Sequence, residues 1–211
     1  MMKQIIIAIL SVSVIAFAGC NNSANQTSEK KDSMSSDHMV MDSSKTNSGE
    51  TVNAPVTSAS IKNVSADVAA HITEVMSHYF HIKHALTKDD AAEAKDGATM
   101  MLQVISSFDN SLLPAAQKTE YSKHINDIKE HADAIVKSAD VAAERTHFAE
   151  LSAHMYELAK AFGAGKKVYY DHCPMAFNGK GANWLNDAAA IQNPYMGSKM
   201  PECGSVEQVI E

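Results

Sequence analysis

Side chains that bind soft and borderline transition metals are abundant in this chain of 211 residues, which holds 3 cysteines, 10 histidines and 12 methionines. The tightest grouping lies near the C terminus, where His172-Cys173-Pro174-Met175 is followed by Met200 and Cys203. Thiolate and thioether sulfurs are soft ligands that suit Cu(I). Cys173, Met175, Met200 and Cys203, with His172 beside them, are therefore a candidate copper(I) or silver cluster. The same two cysteines are also a candidate disulfide, closing a loop of about thirty residues, and loops of that size typically gain a few kcal/mol. Both readings stay open here, and the pair could exchange between them with redox state.

A second soft-ligand patch lies far upstream. Met34, His38, Met39 and Met41 fall within eight residues of an otherwise polar stretch. A flexible chain carrying thioethers and an imidazole can wrap a monovalent copper or silver ion without prior structure.

The histidines repeat at fixed intervals. His71 and His78, His124 and His131, and His147 and His154 form three pairs, each seven residues apart. Every one of the six directly precedes an apolar position of a helical stripe, so all six flank a core seam. In an antiparallel helical hairpin, residues at equal height share a midpoint. His131 with His147, and His124 with His154, share the midpoint 139, inside a predicted turn. The spacing thus predicts two layers of facing imidazoles, with His131 and His147 the candidate metal pair, since neutral imidazole is a common ligand and bundle interiors often host metals. His81 and His84 fall off the stripe and are expected to be solvated. The chain has no Cys-x-x-Cys-His, which rules out c-type haem attachment; a His/Met-ligated b-type haem stays compatible with the sequence.

The elements that position these groups follow from apolar periodicity. Val68, Ile72, Val75, Tyr79, Ile82 and Leu86 alternate spacings of four and three, as one face of a helix requires. Ala94, Ala98, Met101, Ile105, Phe108 and Leu112 predict a second helix. Tyr121, Ile125, Ile128, Ala132 and Ile135 predict a third, and Phe148, Leu151, Met155, Leu158 and Phe162 a fourth. Four such stripes predict an all-α domain, an antiparallel four-helix bundle over residues 65–165. Ser65, a Thr87/Asp90 capping box, Pro114, and Ser138 or Asp140 are the expected start signals, with Gly163 and Gly165 ending the last helix. Residues 166–211 lose the helical period. Turn residues are frequent there, so the segment reads as a mostly irregular C-terminal part of the same domain, with a short extended piece and a brief helix near residues 184–190. Asn193-Pro194-Tyr195 reads as a structural turn and Trp184 as packing.

The N-terminal end carries an export signal. Lys3 precedes an uncharged, mostly apolar run from Ile5 to Phe17, too short to span a bilayer. Phe17-Ala18-Gly19-Cys20 then resembles the lipobox of bacterial lipoproteins. That resemblance implies a signal peptide over residues 1–19 and a diacylglycerol on Cys20. Two or more acyl chains anchor a protein stably. Asn21 and Asn22 lack the acidic residue that marks inner-membrane retention in some Gram-negative lipoproteins, which favours an outer-membrane anchor facing the periplasm. Residues 20–64, rich in Ser, Asn, Thr, Asp and Lys, lack the apolar surface to offset chain entropy and read as a disordered tether.

The helices together with the pattern Cys173-Pro174-Met175, Trp184, Asn193-Pro194-Tyr195, Gly197, Met200 and Cys203-Gly204 resemble an uncharacterised family, domain of unknown function 3347, over roughly residues 70–206. His131 and His147 are further matching positions, whereas Met196 stands where the family more often shows Phe. Members occur as stand-alone envelope proteins and as C-terminal extensions of periplasmic adaptors of copper/silver-type efflux pumps. The resemblance therefore implies metal handling, with an efflux adaptor as an expected partner. Hydrolytic motifs are missing: there is no Gly-x-Ser-x-Gly, His-Glu-x-x-His or phosphate-binding glycine loop, so no enzyme is expected. The formal net charge of −7 argues against nucleic acid and suits the attraction of cations. The sequence reading is of an envelope lipoprotein that binds copper or silver and sequesters it or hands it to an efflux system. Its alternative is a metal-free, disulfide-stapled helical module that docks on such a partner.

Overall fold

The computed structural model describes residues 53–211. Cys20 and the methionine/histidine patch at Met34, His38, Met39 and Met41 lie outside the described residues. Four long helices, α1 (Ala66–Thr87), α2 (Ala91–Ser107), α3 (Ala115–Lys137) and α4 (Val141–Phe162), account for most of the described chain. Each packs on the next, and α1 also lies against α4. No helix is long and apolar enough to cross a membrane among the described residues.

The predicted stripes form the core. Val68, Ile72, Val75, Tyr79, Ile82 and Leu86 of α1 are all buried, as are Tyr121, Ile125, Ile128, Ala132 and Ile135 of α3. In α4 the buried face runs through Phe148, Leu151, Met155, Leu158 and Phe162. Start signals also act locally. The Ser65 and Asp140 side chains accept from the backbone N–H groups of Val68 and Ala143, satisfying donors left free in a first helical turn. At α2 the cap is Asp90, which accepts from the Glu93 N–H. Thr87 instead donates back to the Lys83 carbonyl, so the predicted capping box does not form. Helix α2 stops at Ser107, and Leu112 is exposed while Leu113 takes the core position. Gly97 marks a close approach, because a Cβ there would lie 3.1 Å from Ile82 Cγ1 and 3.2 Å from the Ile82 backbone nitrogen.

The all-α expectation is corrected by a four-stranded sheet. Strands β1 (Val56–Thr57), β2 (Val168–Cys173), β3 (Ala182–Asn186) and β4 (Ser205–Ile210) line up in the order β1-β4-β2-β3. β1 runs parallel to β4, whereas β4–β2 and β2–β3 are antiparallel. Residues 184–186, expected to open a brief helix, thus lie in strand β3. The structured chain also begins before Ser65. Val56 and Thr57 pair with Val209 and Ile210, and the backbone N–H groups of Ser60 and Ile61 donate to the carbonyls of Lys160 and Ala161. Two-residue pairing and short strands holding Tyr, Asp, His and Asn give too little alternation for a period of two to stand out.

The sheet is fixed to the helices by polar contacts in an apolar setting. The Tyr79 hydroxyl accepts from the Leu185 N–H at 2.9 Å and lies 2.8 Å from Ser152 Oγ, joining α1, α4 and β3. Burial pushes its ionisation well above the usual phenol range. Tyr156 of α4 stacks on Tyr170 of β2 with ring centroids 3.9 Å apart. Removing a hydroxyl that satisfies a buried N–H leaves that donor unpaired, which costs about 1–3 kcal/mol. Tyr79→Phe is accordingly expected to lower unfolding free energy by about that amount, measured by urea denaturation followed by circular dichroism.

Candidate metal centre

Strand β2 ends on Cys173, whose partner across the ladder is Ala182 of β3. Cys203 comes from the loop between a 3₁₀ turn (Gly197–Lys199) and β4. Asn193, fully buried, holds that loop closed. Its backbone N–H donates to the Pro201 carbonyl at 2.8 Å, and its Nδ2 donates to the Cys203 carbonyl at 2.6 Å. Its Oδ1 accepts from the N–H groups of Tyr195 and Met196. The Tyr195 hydroxyl in turn donates to the Asn183 carbonyl, and its ring meets buried Trp184 edge-on. Gly204 allows the final approach. At φ +146° a Cβ would lie 2.8 Å from the His172 carbonyl oxygen and 3.0 Å from the Trp184 ring. Asn193, Tyr195, Trp184 and Gly204 are therefore scaffold.

What they deliver is a thiol pair. The Cys173 and Cys203 sulfurs stand 3.1 Å apart as free cysteines, the first buried and the second partly exposed. The contact with Cys173, followed by burial, pushes the Cys203 thiol above its ordinary value. A metal taken up here must displace protons, as thiolate ligation always requires.

The remaining members of the predicted cluster disperse. His172 directly precedes Cys173 on β2, so its side chain leaves from the opposite face of the sheet. There it lies 3.5 Å from Glu207 Oε1 and packs against Gly181. His172 is thereby removed from the thiol cluster, because strand alternation separates neighbours that adjoin in sequence. Met175 and Met200 flank the thiols but are exposed, at 52% and 37%. Met175 lines a groove of about 700 Å³ together with Tyr195, Met196 and Arg145. Among the described residues no three His, Cys, Asp or Glu side chains converge as a ready set of metal ligands.

The predicted register of α3 and α4 brings the histidines together. His131 and His147 have ring centroids 5.9 Å apart. The closer contact is in the other layer, where the Nδ1 atoms of His124 and His154 are 3.4 Å apart. His131 also lies 6.3 Å from His154, so the four rings form one row along the α3–α4 seam. On α1, His71 is a core histidine: its Nε2 lies 2.8 Å from the Tyr121 hydroxyl and its ring stacks on Phe108. Burial lowers its pKa to about 4. His81 contacts Glu93 and His84 contacts Asp187, both at the surface or half-buried.

Buried polar groups such as Lys83 and Asp171 carried no clear mark in the sequence. Lys83 is wholly buried, and its Nζ donates to Asn186 Oδ1, Asp187 Oδ1 and Gln192 Oε1 at 2.7–2.8 Å. Its position four residues after Tyr79 was the available signal, since that spacing returns to the same helix face. Burial pushes Asp187 upward, but hydrogen bonds from His84 and Lys83 outweigh it and hold the carboxyl far below the usual range. Asp171, buried beside this network on β2, accepts from Asn186 Nδ2 through Oδ2 and has no partner for Oδ1.

Residues 75–167 match the model of the family described as Protein of unknown function (DUF3347). Over those residues, fewer than half of the chain, the protein is similar to that family. The matched stretch covers most of the four helices, including the histidine row, and stops before Cys173, so the thiol pair and its scaffold lie beyond it. No curated protein and no solved structure matches the chain.

Burial raises the Asp171 pKa to about 7, against the roughly 3.9 of an unfolded aspartate. The folded state then holds a proton that the unfolded state has released, so this group's stabilisation is full below about pH 4 and is lost as pH rises to about 7. Asp171→Asn keeps a neutral acceptor for Asn186 and is expected to flatten that fall, read as unfolding free energy at several pH values between 4 and 8.

Proposed function

We propose that the protein is an envelope lipoprotein that binds a soft monovalent transition metal, copper(I) or silver(I), at Cys173 and Cys203. On this reading it sequesters the ion or passes it to a heavy-metal efflux system. The observation that carries the reading is the pair of unbonded thiols 3.1 Å apart at the end of β2. Two thiolates favour a soft ion over hard or borderline competitors. Met175 and Met200 are close enough in sequence to offer thioethers from the exposed side as the ion arrives. The four helices, acting as an antiparallel bundle, serve as the rigid support. The tether, with Met34, His38, Met39 and Met41, supplies first capture, and lipid on Cys20 holds the protein at the outer membrane facing the periplasm. No catalytic step is assigned.

The same thiol separation also favours a second reading, a domain closed by a Cys173–Cys203 disulfide that docks on an envelope partner such as an efflux adaptor without a metal of its own. Titration of the mature protein with Cu(I) against a chromophoric chelator separates the two. Sub-micromolar affinity is expected, weakened at least a hundredfold, about 2.8 kcal/mol, by Cys173→Ser. Affinity no better than micromolar and indifferent to that change, in a protein whose free-thiol count is zero, selects the stapled module instead.

A further inference from the structure

A different observation points to a second centre, made of imidazole instead of sulfur. Two nitrogens bound at about 2.0–2.1 Å to one tetrahedral ion stand roughly 3.3–3.4 Å from each other. The Nδ1 atoms of His124 and His154 are 3.4 Å apart, longer than the roughly 2.7–3.2 Å of an ordinary N–H hydrogen bond. Asp127 Oδ2, one helical turn from His124, lies 3.7 Å from the same His154 Nδ1. On the far side of the His124 ring, Nε2 is 3.7 Å from Glu120 Oε1. A small side-chain movement would let Glu120 accept from that nitrogen, the carboxylate contact that fixes the tautomer of a metal-bound histidine and raises its basicity.

We propose that His124, His154 and Asp127 form a site for a borderline divalent transition metal such as zinc or copper(II), bridging α3 and α4. Asp127 is the donor that must close in, which is why three ligands do not yet converge. Its side chain is 46% exposed and free to swing, while His124 at 16% and His154 at 29% keep access for an ion from solvent. The register makes the histidines meet: a short turn joins α3 to α4, and the apolar residues Ile125 and Met155, each next in sequence to a ligand, lock that register in the core. One layer along, His131 faces His154 with ring planes 24° apart and has a buried Nδ1 without a hydrogen-bond partner. A further imidazole ring thus lies beside His154. The thiols of β2 and Cys203 take no part, so this centre stands or falls separately from copper(I) binding.

The test is titration of the mature protein with zinc chloride, followed by imidazole proton–nitrogen correlation spectra and by competition with a chromophoric chelator. The ring signals of His124 and His154 are expected to move first, ahead of His38, His81 and His84, with sub-micromolar affinity. His154→Asn should weaken zinc at least tenfold, whereas Cys173→Ser, which abolishes the thiol site, should change it less than twofold. Ring signals elsewhere moving first, a wild-type affinity weaker than about 100 µM, or an unchanged His154→Asn affinity overturns the proposal. Should His154→Asn lose its helical circular dichroism, the order of ring shifts in the unaltered protein decides.

Discussion

The structure depends on seating a small sheet against the four helices, with which it shares one apolar core. The Tyr79 hydroxyl does this at one point: it takes the Leu185 N–H and reaches Ser152, so α1, α4 and β3 share a single polar junction inside apolar packing. Lys83, one turn further along α1, repeats the device with Asn186, Asp187 and Gln192. Polar bonds in a dry setting are directional, and an unmade one is costly, so they fix position in a way that hydrophobic burial alone does not. With β3 held, β2 is held, and Cys173 at the end of β2 has a defined place.

From that seat the thiol pair follows by a second closure. Asn193 gathers the loop from Pro201 to Cys203, and Gly204 lets the chain pass within contact of β2. Most of the distinctive C-terminal residues are spent on this geometry. The two sulfurs they position differ in exposure, Cys173 buried and Cys203 partly exposed.

The histidine row arises from a separate part of the fold. Its four rings flank the α3–α4 core seam, seven residues apart on each helix. If both proposed sites bind as argued, thiols at the sheet's edge and imidazoles between helices would let one small domain distinguish oxidation states of copper, or copper from zinc.

The helices were legible from sequence because their apolar spacing is long and regular, and a repeated period survives the exchange of single residues. The equal heights of His124 with His154 and of His131 with His147 were legible for the same reason, since a short turn leaves the register almost no freedom. The sheet was not. Its strands have two to six residues and carry Asp171, His172 and Asn186, whose polarity hides the alternation, and β1 pairs with β4 across about 150 residues of chain. Only the tertiary structure could separate His172 from Cys173, because strand alternation sends neighbours to opposite faces. It alone chose His124 and His154 over His131 and His147 as the closest imidazoles, because a helical register fixes height but not the rotation of a side chain. Residue types and spacing set which chemistries this protein has at its disposal; packing decided which of those side chains meet.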